Sequence, residues 1–183
     1  MGGILKYKDE LAKAMQMLAE QPEVIFLGQT VQFGGSFMSD TLKGTPINKR
    51  IELPVAEDMQ MGMSIGLSLM GFIPVSIYPR MDFLLLAMNQ LVNHLDKIEE
   101  MSCGQYKPKV IIRTCIGAKN PLYPGLQHCG DYTTAFKHLL KTVAVVRLTK
   151  PSEIMPNYEY ALYFQNNYLM IEEGDLYGME QSV

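Results

Sequence analysis

Short apolar runs alternate along the chain with longer segments in which apolar residues recur at helical spacing. In YKDELAKAMQMLAEQP, Leu11, Met15 and Leu18 fall on one helical face, and Pro22 ends the pattern. EVIFLG, which follows, is a β-branched and aromatic run closed by glycine, as is typical of a strand. The start of the chain therefore predicts a helix followed by a strand.

The same alternation predicts the elements of the rest of the chain. After the segment RIEL, a helix is expected from about Asp58 to Met70. The later strands are expected in FIPVSIY, PKVIIRTC, TVAVVRL and NYLMIEE. The later helices are expected in DFLLLAMNQLVNHLDKIEEM, taken as one long helix, in DYTTAFKHLLK, and in PSEIMPNYEYALYFQ, where Pro151 stands at the start.

The order and composition of the strands indicate the fold class. Strands alternate with helices, and most strands are continuous apolar runs, which predicts a three-layer α/β/α fold with a mostly parallel central sheet. The 183 residues, 48% of them hydrophobic, are enough for one core, so a single domain is expected over residues 1–183. Two long loops, 28–50 and 115–130, follow strands, and ligands of such folds bind beyond the carboxyl ends of strands.

Composition argues against nucleic-acid and membrane partners and indicates where in the cell the protein is found. A net charge of −3 gives no electrostatic footprint for nucleic acid, and the apolar runs are too short to span a membrane. The first residues lack the apolar core of a signal peptide, and the three widely spaced cysteines fit reduced thiols. We therefore expect a cytoplasmic protein that binds neither nucleic acid nor membrane. Fourteen methionines indicate a methionine-rich core or a subunit interface.

Three residues, Glu57, Phe83 and His128, are the candidates for chemistry. The chain has no G-x-G-x-x-G, phosphate-loop or G-x-S-x-G motif. Glu57 stands where the chain enters a helix, so its acid either complements the helix dipole or faces a ligand nitrogen from the edge of the core. His128 lies in a long loop beyond a strand end, which suits a surface residue or a site residue. Phe83 opens an apolar helix, where core packing is the simpler role.

Three further residues have weaker claims to chemistry. His94 and His138 lie within helical patterns and are interpreted as structural or surface residues. Cys129, beside His128, is a conceivable nucleophile, and the chain would then be a self-contained hydrolase-like enzyme. Neighbours in sequence seldom give a nucleophile and its base the geometry they need, and no other motif supports this alternative.

Several motifs stand in an order that characterises a known family. VIFLGQTV resembles that family's first strand and turn, and RIELPVAEDMQMGMSIGLSLMGFIPV resembles its R-x-x-D-T-P-I-x-E-x-x-x-x-G-x-x-x-G-x-A-x-x-G-x-x-P-V. MDFLLLAMNQLVNHLDKIEEMSCGQ resembles the helix that follows, PKVIIRTCIGA a strand ending in arginine, and LQHCGDYTTAFKHL the Q-H-S-Q loop and helix. From Leu11 to about Gly178, the chain resembles the pyrimidine-binding domain of transketolase-like, thiamine diphosphate-dependent enzymes. The greatest likeness is to the beta subunits of 2-oxo acid dehydrogenases (pyruvate and branched-chain).

The resemblance implies a role for each candidate residue. Glu57 matches the glutamate that hydrogen-bonds the aminopyrimidine ring of thiamine diphosphate and so promotes formation of the ylid. Phe83 matches the aromatic residue that stacks on the pyrimidine, and Val55 and Ala56 would line the pocket beside Glu57. His128 matches an active-site histidine near the reacting carbon, suited to proton transfer or to holding substrate.

The chain departs from the family's pattern at several positions. Gln29 and Thr30 replace an acidic pair that is common after the first strand, ELP replaces D-T-P, and Cys129 replaces the usual serine. The chain also stops at Val183, near the end of the first domain of such beta subunits. Their C-terminal domain is not in it, and neither is a diphosphate-binding domain with its G-D-G…N motif. The resemblance therefore implies half of a cofactor site.

If this chain carries half of the cofactor site, a partner subunit must supply the other half. A diphosphate-binding alpha-type subunit would hold the diphosphate through Mg²⁺, with no metal held by this chain, and the apolar surface around residues 57–101 would be the interface. The assembly would be a heterotetramer or have a homodimer core. The implied reaction is decarboxylation of a 2-oxo acid or transfer of a two-carbon unit from a ketose-like substrate. The alternative is a non-catalytic scaffold or regulatory remnant of such a domain.

Overall fold

The computed structural model describes residues 4–182 of the chain, in which strands and helices follow one another closely. The strands are β1 (Ile4–Lys6), β2 (Val24–Gly28), β3 (Arg50–Glu52), β4 (Ile73–Tyr78), β5 (Ile111–Ile116), β6 (Ala144–Arg147), β7 (Tyr168–Glu173) and β8 (Glu180–Ser182). The helices are α1 (Tyr7–Ala19), α2 (Phe37–Asp40), α3 (Glu57–Leu69), α4 (Met81–Leu84), α5 (Ile98–Met101), α6 (Thr133–Leu139) and α7 (Pro151–Tyr163). Short 3-10 turns cover Ile47–Lys49, Leu85–Ala87, Leu126–His128 and Gly174–Leu176, and a π-helix covers Asn89–Leu95.

The central sheet has six parallel strands in the order β3-β2-β4-β5-β7-β6. Its strands are apolar because both faces are covered, as the continuous apolar runs predicted. The predicted three-layer α/β/α fold with a parallel sheet is confirmed. A second, antiparallel pair joins β1 to β8 near the two ends of the chain, and the sequence pattern did not predict it.

Two apolar clusters pack against opposite faces of the sheet. One contains the helical face of Leu11, Met15 and Leu18 from α1 together with residues of α7. The other contains residues of α3, α4, the π-helix and α6. Neighbouring residues of a strand divide between the two, as Ile111 and Ile112 do in β5, because side chains alternate across a sheet. The predicted helical face of α1 is thus buried.

The prediction of one long helix over residues 82–101 is wrong. The segment is divided into α4, a 3-10 turn, the π-helix and α5. At the end of the π-helix, the Asp96 N–H donates to the Leu91 carbonyl over 3.0 Å, five residues back. The Asp96 carboxylate then accepts the backbone N–H groups of Lys141, Thr142 and Val143 at 2.8–3.0 Å. This distant contact accompanies the break, and no local pattern reveals it.

The part of the chain that the structure describes contains no candidate membrane-spanning helix. No helix between residues 4 and 182 combines the length and the apolar character that crossing a bilayer requires.

Candidate functional site

Four neighbouring strands bring the candidate residues to one edge of the sheet. Glu57 follows β3, Gln29 follows β2, Phe83 follows β4, and His128 lies in the loop after β5. Because these strands are parallel and adjacent, their carboxyl ends meet at the same edge. Ligands of open α/β sheets bind beyond that edge. The fold therefore places all three residues chosen from the sequence on the side of the sheet where a ligand is expected.

Glu57 is the first residue of α3, and its side chain is almost buried, with 5% of the residue exposed. The Gln29 side-chain amide donates a hydrogen bond to Glu57 Oε1 over 3.1 Å. Among residues 4–182, no other group donates to the Glu57 carboxylate, and Oε2 accepts no hydrogen bond from them. The Tyr78 hydroxyl reaches the Glu57 backbone carbonyl at 3.4 Å. A nearly buried carboxylate with one defined partner suits the recognition of a ligand nitrogen.

A tight turn after β2 positions Gln29. Gly28 has φ +147°, and a Cβ there would lie 2.3 Å from the Ile77 carbonyl oxygen, so only glycine fits. Thr30 has φ +59°, an uncommon conformation for a non-glycine residue. The Glu52 carboxylate holds the turn by accepting the N–H of Thr30 at 2.6 Å and of Gln32 at 2.8 Å. Glu52 thus supports the residue that contacts Glu57, a role that the sequence analysis missed.

Phe83 and His128 lie in contact across two elements. Their ring centroids are 5.4 Å apart, and the ring planes meet at 84°, an edge-to-face arrangement. Both side chains are half-buried. The His128 backbone packs closely on Gly117, where a Cβ would lie 1.8 Å from the His128 carbonyl oxygen. The structure therefore brings together two residues that are far apart in the sequence.

Asp82, next to Phe83, fixes the other side of the His128 loop. Its carboxylate accepts the Gly130 N–H at 3.2 and 3.3 Å and the Tyr132 hydroxyl at 3.3 Å. A Cβ on Gly130 would lie 2.6 Å from Asp82 Oδ1, so glycine permits this approach. Asp82 was not singled out in the sequence, because an acid in a helical turn ordinarily signals only a favourable interaction with the helix dipole.

An apolar cavity of about 420 Å³ adjoins this contact. Leu126, at its rim, is 86% exposed. Ligand pockets are typically concave and apolar with a few polar groups, and this one adds a carboxylate and a phenol to aliphatic side chains. Its lining consists of Asp82, Phe83, Leu85, Leu86, Leu126, Gln127 and Tyr132.

Val55 and Ala56 have different surroundings. Ala56 is half-buried and directly precedes α3 as its N-cap residue. Val55 is 77% exposed and contributes an apolar side chain to the surface beside Glu57. The described residues therefore do not enclose the Val55 side chain.

Gln60 is a second buried polar residue on α3, one turn beyond Glu57. Its Nε2 donates to Ser76 Oγ at 3.1 Å and to the Ile77 carbonyl at 3.0 Å. Its Oε1 is buried without a partner. The amide ties α3 to β4 and so supports the position of Glu57. The apolar appearance of the helix hid this role in the sequence.

Two other chemistries that the sequence raised involve cysteine and metal. Cys129 Sγ lies 3.6 Å from the Ala118 carbonyl oxygen. Within residues 4–182, no three histidine, cysteine, aspartate or glutamate side chains gather in a way that could hold a metal ion. At this edge of the sheet, Glu57 offers a nearly buried carboxyl group and Phe83 an aromatic ring, a combination that suits a nitrogen-bearing aromatic ring better than a diphosphate.

Sequence comparison relates the chain to pyruvate dehydrogenase subunits. It is 26% identical over 174 residues to the chloroplastic E1 component subunit beta-4 of Oryza sativa subsp. japonica, covering 92% of this chain and 42% of that protein. It is 32% identical over 111 residues to the E1 component subunit beta of Chaetosphaeridium globosum, covering 58% of this chain and 32% of that protein. The chain thus spans less than half the length of these two relatives. No protein-family model matches it.

Structure comparison relates the chain to transketolases. A split-gene transketolase, described as an inactive beta4 tetramer, superposes with a TM-score of 0.68 and 18% identity over 92% of this chain and 50% of that one. The transketolase of Campylobacter jejuni superposes with a TM-score of 0.75 and 13% identity over 99% of this chain and 27% of that one. The chain has a transketolase-like fold. Its sequence is similar to E1 beta subunits over most of its length, and the resemblance seen in the sequence is confirmed.

Proposed function

We propose that this chain is the pyrimidine-binding subunit of a thiamine diphosphate-dependent enzyme that decarboxylates a 2-oxo acid or transfers a two-carbon unit. The observation that carries the proposal is the nearly buried Glu57 carboxylate, held by Gln29 at the carboxyl edge of the sheet. The similarity to pyruvate dehydrogenase E1 beta subunits and to a split-gene transketolase supports the same class of enzyme.

The residues of the chain would divide the work at the cofactor. Glu57 Oε2 would donate a proton to a pyrimidine ring nitrogen, or share one with it, while Gln29 keeps Oε1 in place. Phe83 would present its ring to the pyrimidine, and Val55 and Ala56 would border it. His128, held edge-on to Phe83, would hold or move a proton at the substrate. When bound, thiamine diphosphate supplies the carbanion chemistry.

A partner subunit would complete the site by binding the diphosphate and Mg²⁺. Exposed apolar side chains between residues 57 and 101 support such an interface, because apolar residues left at a surface favour association. Met70 is 78% exposed and Met101 is 69% exposed. Other exposed apolar residues of this surface are Met59, Leu69, Phe72 and Leu86. A heterotetramer, or an assembly with a homodimer core, fits this arrangement.

The exchange of the thiazolium C2 proton for deuterium tests the proposal, because it reports activation of the cofactor before any substrate binds. We expect Glu57→Gln, in the complex of the chain with its partner subunit, to slow the exchange by about 100-fold or more. Glu10→Gln is the matched control, since Glu10 is also a nearly buried acid in a first helical turn. Equal exchange rates in both variants would favour a non-catalytic scaffold or regulatory module.

A further inference from the structure

A second cavity, of about 280 Å³, lies at the same edge of the sheet. It is bounded by the loop after β2 on one side and by the end of β4 on the other. Neither Glu57 nor Phe83 lines it. Its walls are Gly35, Ser36, Phe37, Asp40 and Arg80.

Arg80 is the principal charged group of this cavity, and the protein leaves most of its donors unused. Its Nη1 donates to the Pro79 carbonyl over 2.8 Å, while its Nε is buried without a partner. No carboxylate among residues 4–182 forms an ion pair with Arg80. A guanidinium carries five N–H donors, and a half-buried one without an acid partner costs free energy that an anionic ligand would recover.

The charges around the cavity also favour an anion. Asp40 is the only acid in the wall, and Lys8 at 2.9 Å and Lys43 at 2.8 Å pair with its carboxylate. Hydrogen bonds from Lys43 and Lys8 lower the pKa of Asp40, so it stays ionised and paired with two cations. Within the cavity wall, Asp40 is thus already paired, and Arg80 is the charged group without an ion-pair partner.

The remaining walls leave room and a further donor. A Cβ added to Gly35 would meet no atom within 4 Å, so this side of the cavity is open. The Ser36 hydroxyl accepts the Ser39 N–H at 3.1 Å and lies 3.3 Å from the Thr30 hydroxyl. When the Thr30 hydroxyl is the donor in this contact, the Ser36 hydrogen is available to a ligand oxygen.

The cavity borders the His128 loop. A Cβ on Gly117 would lie 3.4 Å from Arg80 Cδ and 1.8 Å from the His128 carbonyl oxygen, so both residues pack against the same glycine. Arg80 thus neighbours the backbone of His128, the residue proposed to act on substrate.

We propose that this cavity binds an anionic group, a carboxylate or a phosphate, with Arg80 as its main partner and Ser36 as a second donor. A guanidinium group binds a planar carboxylate or a tetrahedral phosphate well, because two of its N–H donors can bond to two oxygens of the same group. That the group belongs to the substrate rests on the proposed function. Anion binding itself needs no thiamine diphosphate, so either proposal can fail without the other.

Nuclear magnetic resonance of the Arg80 Nε–H in the full chain tests the proposal. Pyruvate serves as the carboxylate probe, glycerol 3-phosphate as the phosphate probe, and pyruvamide as the uncharged control. We expect a saturable shift of this resonance with at least one anion and none with pyruvamide. A shift with pyruvate alone assigns a carboxylate site, and a shift with glycerol 3-phosphate alone assigns a phosphate site.

Calorimetry on variants supplies the second readout. Arg80→Gln should weaken binding of the anion at least about tenfold. Lys137→Gln removes the same charge from an exposed position on α6 and should leave the affinity unchanged. The proposal is overturned if neither anion shifts the Nε–H resonance, if pyruvamide shifts it equally, or if the two variants bind the anion with the same affinity.

Discussion

The side-chain amide of Gln29 donates a hydrogen bond to the Glu57 carboxylate over 3.1 Å, joining the end of β2 to the start of α3. The family that the chain resembles commonly has acidic residues where Gln29 and Thr30 stand. An amide at this position supplies a donor, whereas a carboxylate would face Glu57 with a like charge. Gln29 therefore acts as a positioning residue for Glu57.

Replacing Gln29 should weaken the cofactor site without unfolding the chain. A hydrogen bond to a charged group contributes about 1.5–3 kcal/mol, so Gln29→Leu should reduce the affinity for thiamine diphosphate roughly tenfold or more in the assembled complex. Titration calorimetry measures the effect. Gln105→Leu, at an exposed position, is the control and should bind normally. Unchanged affinity in Gln29→Leu would show that Glu57 does not depend on this contact.

Removing Asp82 should loosen the His128 loop. The Asp82 carboxylate accepts the Gly130 N–H and the Tyr132 hydroxyl, so Asp82→Ala leaves both donors without a partner. We expect faster amide hydrogen exchange over residues 125–130 and a larger loss in kcat than in cofactor affinity. Asp9→Ala, in the first turn of α1, is the control. Protection of the loop equal to that in the control would contradict the assigned role.

Glu172 should be essential for stability because it neutralises a buried cation. Arg113 and Glu172 are both fully buried and form an ion pair, and the Tyr158 hydroxyl donates to the same carboxylate at 3.2 Å. Glu172→Gln leaves the Arg113 charge uncompensated and should lower the free energy of unfolding by about 3–5 kcal/mol. Urea denaturation measures this loss.

The neighbouring glutamate gives a matched control for that experiment. Glu173 pairs with Arg147 at the surface, where ion pairs contribute about 1 kcal/mol or less. Glu173→Gln should therefore change the free energy of unfolding only slightly. A similar loss in both variants would mean that burial of the Arg113 pair does not determine its contribution.

Cys115 should make the fold less stable at alkaline pH. Burial, followed by the nearby Glu172 charge, raises the pKa of this thiol well above its ordinary value. Its stabilising effect is complete below the unfolded pKa of about 8.5 and is lost as the pH rises toward the folded pKa. The expected loss between pH 7 and 9.5 is on the order of 1 kcal/mol, and Cys115→Ala should remove it. Urea denaturation across this range would contradict the prediction if both proteins showed the same pH dependence.

Local patterns predicted much of the fold because periodicity and burial agree in most elements. α1 buries Leu11, Met15 and Leu18 as its spacing indicated, and α7 begins at Pro151 as expected. The patterns failed where a distant contact determines local structure. Asp96 interrupts the expected long helix and caps the backbone near Thr142, a pairing over more than forty residues that no short window contains.

Local sequence patterns also explain why only some residues of the candidate site could be chosen from the sequence. Glu57, Phe83 and His128 could be chosen because they stand in recognisable motifs at strand ends. Asp82 and Arg80 could not, because their roles depend on the approach of loops that follow different strands. A sequence shows which residues follow a strand but not which loop lies opposite them.

Calorimetric titration of thiamine diphosphate with Mg²⁺ tests the central claim most directly. The titration is made into the chain alone, into the chain with its diphosphate-binding partner subunit, and into the same mixture with Glu57→Ala. We predict measurable binding only in the mixture and a loss of affinity of at least tenfold in the variant. Equal affinity of the wild-type and Glu57→Ala mixtures, or no binding in either, would contradict the assignment of Glu57 to a cofactor site.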